Sequence, residues 1–130
     1  MPNEFADYRQ KNKVCELYWC PFLPPQFKNP KASEINHIFR RLSDHTSNII
    51  HLSAEAHRWF HLYPADGRIL CLLVKARKKE LDSLQLKLAS GIWVSGWLET
   101  ANPRLDWIGM YRDELRQHLA EIENEQGSPL

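Results

Sequence analysis

Trp59-Phe60-His61-Leu62-Tyr63, Pro64-Ala65-Asp66-Gly67 and Arg68-Ile69-Leu70-Cys71-Leu72-Leu73-Val74 form one continuous stretch, and its reading decides the fold class. Two apolar, strand-like runs flank four residues with turn chemistry. Proline presets φ for the first turn position, aspartate can bond its own backbone, and glycine takes the left-handed conformation that closes a turn. The pattern predicts a β-hairpin over about 57–75.

Downstream, Ile92-Trp93-Val94-Ser95-Gly96-Trp97-Leu98 reads as a strand over 92–98, its interior Gly96 suggesting a bulge. Upstream, Val14 to Trp19 reads as a short strand that runs into the proline-rich loop Pro21-Phe22-Leu23-Pro24-Pro25. Asn29-Pro30 has the form of a helix start, and Ile35, Ile38, Phe39 and Leu42 recur at helical spacing, so a helix is expected over about 30–44. Residues 78–89 fit either a helix with Leu81, Leu84 and Leu88 on one face or a turn and a strand with Leu84, Leu86 and Leu88 alternating; good helix formers and Gly91 at the end favour the helix. Asn102-Pro103 repeats the start signal before the stripe Leu105, Ile108, Leu115, Leu119 and Ile122, which predicts a helix over about 103–123. Around residues 48–58 two readings stay open: Ser53 caps a short helix through Trp59, or a strand from Ile49 enters the hairpin.

The expected fold is therefore α+β, a small antiparallel sheet with a central hairpin packed by helices; a small Greek-key barrel with added helices is the alternative. Residues 13–125 read as a single globular domain, with 1–12 a flexible N-terminal segment and 126–130 a flexible tail.

Composition narrows function by exclusion. The 130 residues are 43% hydrophobic, enough for a core, and 17 basic against 16 acidic side chains leave a net charge of +1. No global field favours polyanions, so any such partner must be met by a local patch. The apolar run Ile69 to Val74 is too short to span a bilayer, and Met1-Pro2-Asn3-Glu4 lacks the features of a secretory signal; a soluble, cytoplasmic protein is expected. Cys15, Cys20 and Cys71 are odd in number and read as reduced thiols.

Three constellations carry possible chemistry. His37, His45, His51, His57 and His61 lie within 25 residues, the last two sharing one face, and Cys15 and Cys20 are of metal-ligand type. Their spacing departs from compact zinc sites, so no metal or other cofactor is expected. Catalysis is not expected either: Asp44 with His45, Asp66, and Asp106 with Asp113 and Glu114 form no recognisable mechanism. The second constellation is basic and aromatic. Lys75, Arg77, Lys78 and Lys79 leave the expected hairpin, Arg40 and Arg41 sit on the expected first helix, Arg58 and Arg68 lie near the hairpin, and Trp59, Trp93 and Trp97 lie on expected strands. Cations beside aromatic faces suit single-stranded nucleic acid, which is the leading expectation for a non-catalytic binding protein. The third is a protein-docking surface: Trp19, Phe22, Leu23 and Phe27 in the proline-aromatic loop, with the C-terminal helix as a face for a target groove or a second copy.

Overall fold

The computed structural model describes residues 5–127, and within them helices outnumber strands. Helix α1 is Ala6–Lys11; strands β1 (Glu34–His37) and β2 (Ile49–Leu52) pair antiparallel, with Glu34 opposite Leu52 and His37 opposite Ile49. Then come α2 (Ala54–Leu62), α3 (Pro64–Arg77), α4 (Ser83–Ser90), α5 (Val94–Thr100) and α6 (Ile108–Glu125). No helix among the described residues is long and apolar enough to cross a membrane.

The decisive stretch folds as a helix pair, correcting the hairpin expected at 57–75. Pro64 opens α3 at its first turn, where its missing N–H costs nothing and its fixed φ is already helical. Asp66 sits in that first turn, and its buried carboxylate accepts the amides of Arg104 (3.0 Å) and Leu105 (2.8 Å), tying down the approach to α6. Gly67 is there for closeness and not for a turn: a Cβ at this position would stand 2.7 Å from Phe60 Cδ2, so its lack of a side chain lets α2 and α3 meet. Every residue from Ile69 to Ala76 is buried. An element covered on all sides shows no polar alternation, and a short buried helix then looks like a buried strand.

Other boundaries shift for related reasons. The helix expected at 30–44 is replaced by β1 and a loop. Asn29 Oδ1 does accept a local amide, that of Lys31 at 2.9 Å, but its Nδ2 donates to Glu55 at 2.7 Å and the chain leaves extended. The strand expected from Val14 is a series of turns with one bridge, Val14 to Lys31. The strand expected at 92–98 is α5, entered through Gly91, whose φ of 85° ends α4 in the left-handed conformation that glycine accepts. The helix expected at 78–89 exists as α4, starting only after Asp82, which caps it by accepting the Gln85 amide at 3.1 Å. The helix reading of residues 48–58 holds, with Ser53 capping α2 by accepting from the Ala56 amide at 3.0 Å, while the strand reading holds only in part: β2 ends at Leu52 and pairs with β1 instead of entering a hairpin at 57–75. With two short strands and several helices, the Greek-key alternative is not seen.

The expected C-terminal stripe is real but used internally. Ile108, Leu115 and Leu119 are buried in the core that α6 shares with α3. Glu123, at the far end of α6, is fully buried; its carboxylate accepts from the hydroxyls of Ser83 and Ser95 and from the Ser95 amide at 3.0 Å, joining the starts of α4 and α5. At the other terminus, part of the segment expected to be flexible is α1, whose Tyr8 reaches the protein interior. Residues 1–4 and 128–130 of the two expected flexible ends lie outside the described residues.

Candidate anion pocket

The basic residues divide into two groups. In the run leaving α3, three of the four cations are paired within the fold. Lys75 is fully buried, donating to the Tyr8 hydroxyl at 2.6 Å and to Glu80 at 3.3 Å. Lys78 meets Asn12 at 3.0 Å and the buried carboxylate of Glu16, which also accepts the Tyr8 hydroxyl and the His51 amide at 2.8 Å. Arg77 makes a two-pronged pair with Glu114, both contacts at 2.7 Å, and lies over Trp19. Lys79 is exposed at a left-handed φ of 59°. The sequence hid the pairings of Lys78 and Arg77 because Glu16 and Glu114 lie far along the chain. Burial takes Lys75 away from the surface, whereas Arg77 and Lys78 are ion-paired but keep 39% of their side chains exposed.

The second group converges. Arg40, Arg41 and Arg68 line one open pocket of about 450 Å³ together with His37, His57 and His61. Arg40 and Arg41 come from the loop after β1, the imidazoles from β1 and α2, and Arg68 from the first turns of α3. Burial first, and the repulsion of Arg40 second, pull the Arg68 guanidinium below its ordinary value. An anion seated between the two would relieve that repulsion.

The pocket is built from inside. Asn48, fully buried, accepts the Phe39 amide at 2.8 Å and donates to the Ser43 carbonyl at 2.7 Å, while Arg68 Nε donates to the Ile38 carbonyl at 2.8 Å. Arg40 takes a left-handed φ of 48°, uncommon for a non-glycine residue. His37 is held by Asp44 at 2.7 Å and His57 by Glu34 at 3.1 Å. Asn36, only 4% exposed, also lines the pocket, and its Nδ2 has no hydrogen-bond partner.

The expected aromatic partners are distributed differently. Trp59 is in the core, stacked on Trp107 at 6.0 Å between ring centroids, which corrects its assignment as a stacking platform. Trp97 is half-buried and meets Phe39 edge-on at 5.2 Å; Phe39 in turn lies under Arg68. Trp93 is half-buried beneath Lys87, and Arg58 stands over Phe27. In the loop expected to dock proteins, Leu23 is buried, which corrects its role, and Phe27 is half-buried; Trp19 and Phe22 are 39% and 44% exposed and rest on Tyr111 and Trp107.

Of the five clustered histidines, His37, His57 and His61 share the pocket. His45 instead caps a short 3₁₀ turn, accepting the Ser47 amide, and His51 is buried against Asn12 and Glu16. Cys15 and Cys20 are buried free thiols in the core, and among the described residues no group of three or more His, Cys, Asp or Glu is placed to hold a metal. Reading charge runs missed Asn36 and His37, although the histidine clustering pointed to their neighbourhood. Comparisons with protein-family models, with curated proteins and with solved structures find no match to this chain.

Proposed function

We propose that this protein acts by binding, and that the pocket of Arg40, Arg41 and Arg68 takes the phosphates of single-stranded nucleic acid. The observation that carries this reading is the convergence of three guanidinium groups and three imidazoles on one opening. Guanidinium suits phosphate because its planar fork donates two parallel hydrogen bonds. A net charge of only +1 means that attraction comes from this patch and not from the whole molecule. The half-buried Phe39 lies under Arg68 and Trp97 lies against Phe39, and the pair supplies aromatic surface for unstacked bases.

Fluorescence anisotropy of a labelled single-stranded oligonucleotide tests this. Three neutralised phosphates give a log–log salt slope of about −2, so raising salt from about 50 to about 200 mM weakens binding roughly 18-fold. Removing two guanidinium groups with Arg40→Ala and Arg41→Ala, both at exposed positions, leaves a slope of about −0.7 and a loss of roughly 2.6-fold. Absence of binding at low salt, or a slope that the double variant does not change, overturns the reading.

A protein-docking role is the second reading, favoured by the exposed Trp19 and Phe22 beside the Arg77–Glu114 pair. It predicts binding that salt hardly alters and that Trp19→Ala abolishes.

A further inference from the structure

His57 and His61 stand one turn apart on α2, and their Nε2 atoms are 2.9 Å from each other. On its other side, His57 Nδ1 faces Glu34 Oε1 at 3.1 Å. A carboxylate there takes the Nδ1–H and fixes the tautomer, leaving the Nε2 lone pair aimed at His61. This carboxylate–imidazole arrangement orients metal-binding histidines and raises their basicity.

We propose that His57 and His61 chelate a divalent transition-metal ion such as Ni²⁺ or Zn²⁺, with Glu34 as the positioning residue behind His57. At a metal–nitrogen length of about 2.05 Å, the 2.9 Å separation subtends about 90° at the metal, the cis angle of octahedral or square-planar coordination. Tetrahedral coordination needs the nitrogens about 3.3 Å apart, a shift that the exposed His61 ring can supply. With no third side-chain ligand among the described residues, the remaining positions fall to water. Both imidazoles line the arginine pocket, so one of those positions also opens to a phosphate oxygen; this last point alone rests on the proposed function.

Isothermal titration of the chain with Ni²⁺, and separately with Zn²⁺, at neutral pH and without oligonucleotide tests the site. One saturable ion per chain is expected. His57→Ala and His61→Ala each weaken it about tenfold or more, and Glu34→Gln about tenfold. His118→Ala, which alters an imidazole on α6, leaves the affinity within about twofold. His57 is half-buried and His61 exposed on a helix surface, and alanine favours helix, so both variants keep the fold. Absence of saturable binding, or single-histidine variants that bind as the parent does, overturns the proposal. Oligonucleotide binding measured in excess chelator reports on the arginine pocket alone, so the two readings fail independently.

Discussion

Lys75→Met and Glu16→Ala perturb the same buried network and are expected to differ sharply. Lys75 is fully buried, and its pKa is lowered first by desolvation, against which the charges of Glu16 and Glu80 act in the opposite sense. The net downward direction means that burial of the ammonium outweighs its pairing, so its charge is not what holds α3 in place. Methionine keeps the aliphatic stem and its packing, and Glu80 stays partly in water, so Lys75→Met changes stability by about 1 kcal/mol or less at neutral pH. Glu16 is the opposite case. Its side chain is 2% exposed and accepts from Tyr8, His51 and Lys78, so Glu16→Ala strands those donors beside a buried ammonium and costs about 3–5 kcal/mol. The sign with pH follows. A lysine whose folded pKa is depressed binds fewer protons folded than unfolded, so Lys75 adds stability as pH rises from that depressed value towards about 10.4 and Lys75→Met lacks this contribution, while the Cys71 thiol, pushed up by burial, acts in the opposite sense in both proteins and cancels in their difference. Urea unfolding of the three proteins between about pH 7 and pH 9.5 measures both effects, since it stays below the ordinary tyrosine range. A Lys75→Met variant as unstable as Glu16→Ala, or one that gains stability with pH as the parent does, refutes the reasoning.

Two further outcomes follow from single contacts. Gly67→Ala drives a Cβ to 2.7 Å from Phe60 Cδ2 and 3.2 Å from the Phe60 backbone; overpacking outweighs the gain in helix propensity, and a net loss of about 1–3 kcal/mol is expected by thermal unfolding. Burial and then Glu16 push the Tyr8 phenol far above its ordinary value of about 10. Folded chains therefore hold a proton that unfolded chains release, and the stability it confers is present below about pH 10 and lost above it. Tyr8→Phe, compared in the Lys75→Met background to remove the opposing lysine effect, flattens that alkaline decline in urea unfolding; equal declines with and without the hydroxyl refute the assignment.

Legibility in the sequence followed the kind of signal each segment carries. Caps survived translation into structure: Ser53, Gly91 and the stripe of α6 were readable because a side-chain acceptor, a left-handed glycine and a half-buried helix face each leave a local mark. Segments wholly inside the protein carried no such mark. Ile69 to Val74 is buried around its whole circumference, so periodicity had nothing to report, and Pro64-Ala65-Asp66-Gly67 serves a helix start as well as a turn. Only the later approach of Arg104 and Leu105 reveals what Asp66 is for.

The pocket shows the same division between residue type and residue company. Arg40, Arg41 and Arg68 were recognisable as cations, yet so were Lys75 and Lys78, and nothing local separated the two sets. What separates them is the acid that each reaches: Glu16 lies 62 positions from Lys78, and Glu114 lies 37 from Arg77. Arg68 instead spends its Nε on the Ile38 carbonyl, a neutral acceptor, and pairs with no acid among the described residues. That same bond, with the two from Asn48 to Phe39 and Ser43, pins the loop that carries Arg40 and Arg41 before any ligand arrives. A long arginine on a free loop would lose rotamer and backbone entropy on binding; here much of the backbone ordering is already accomplished by buried amide contacts. Arg40 and Arg68 are thus held near each other in the folded protein in part by the Asn48 contacts, which do not depend on their charge.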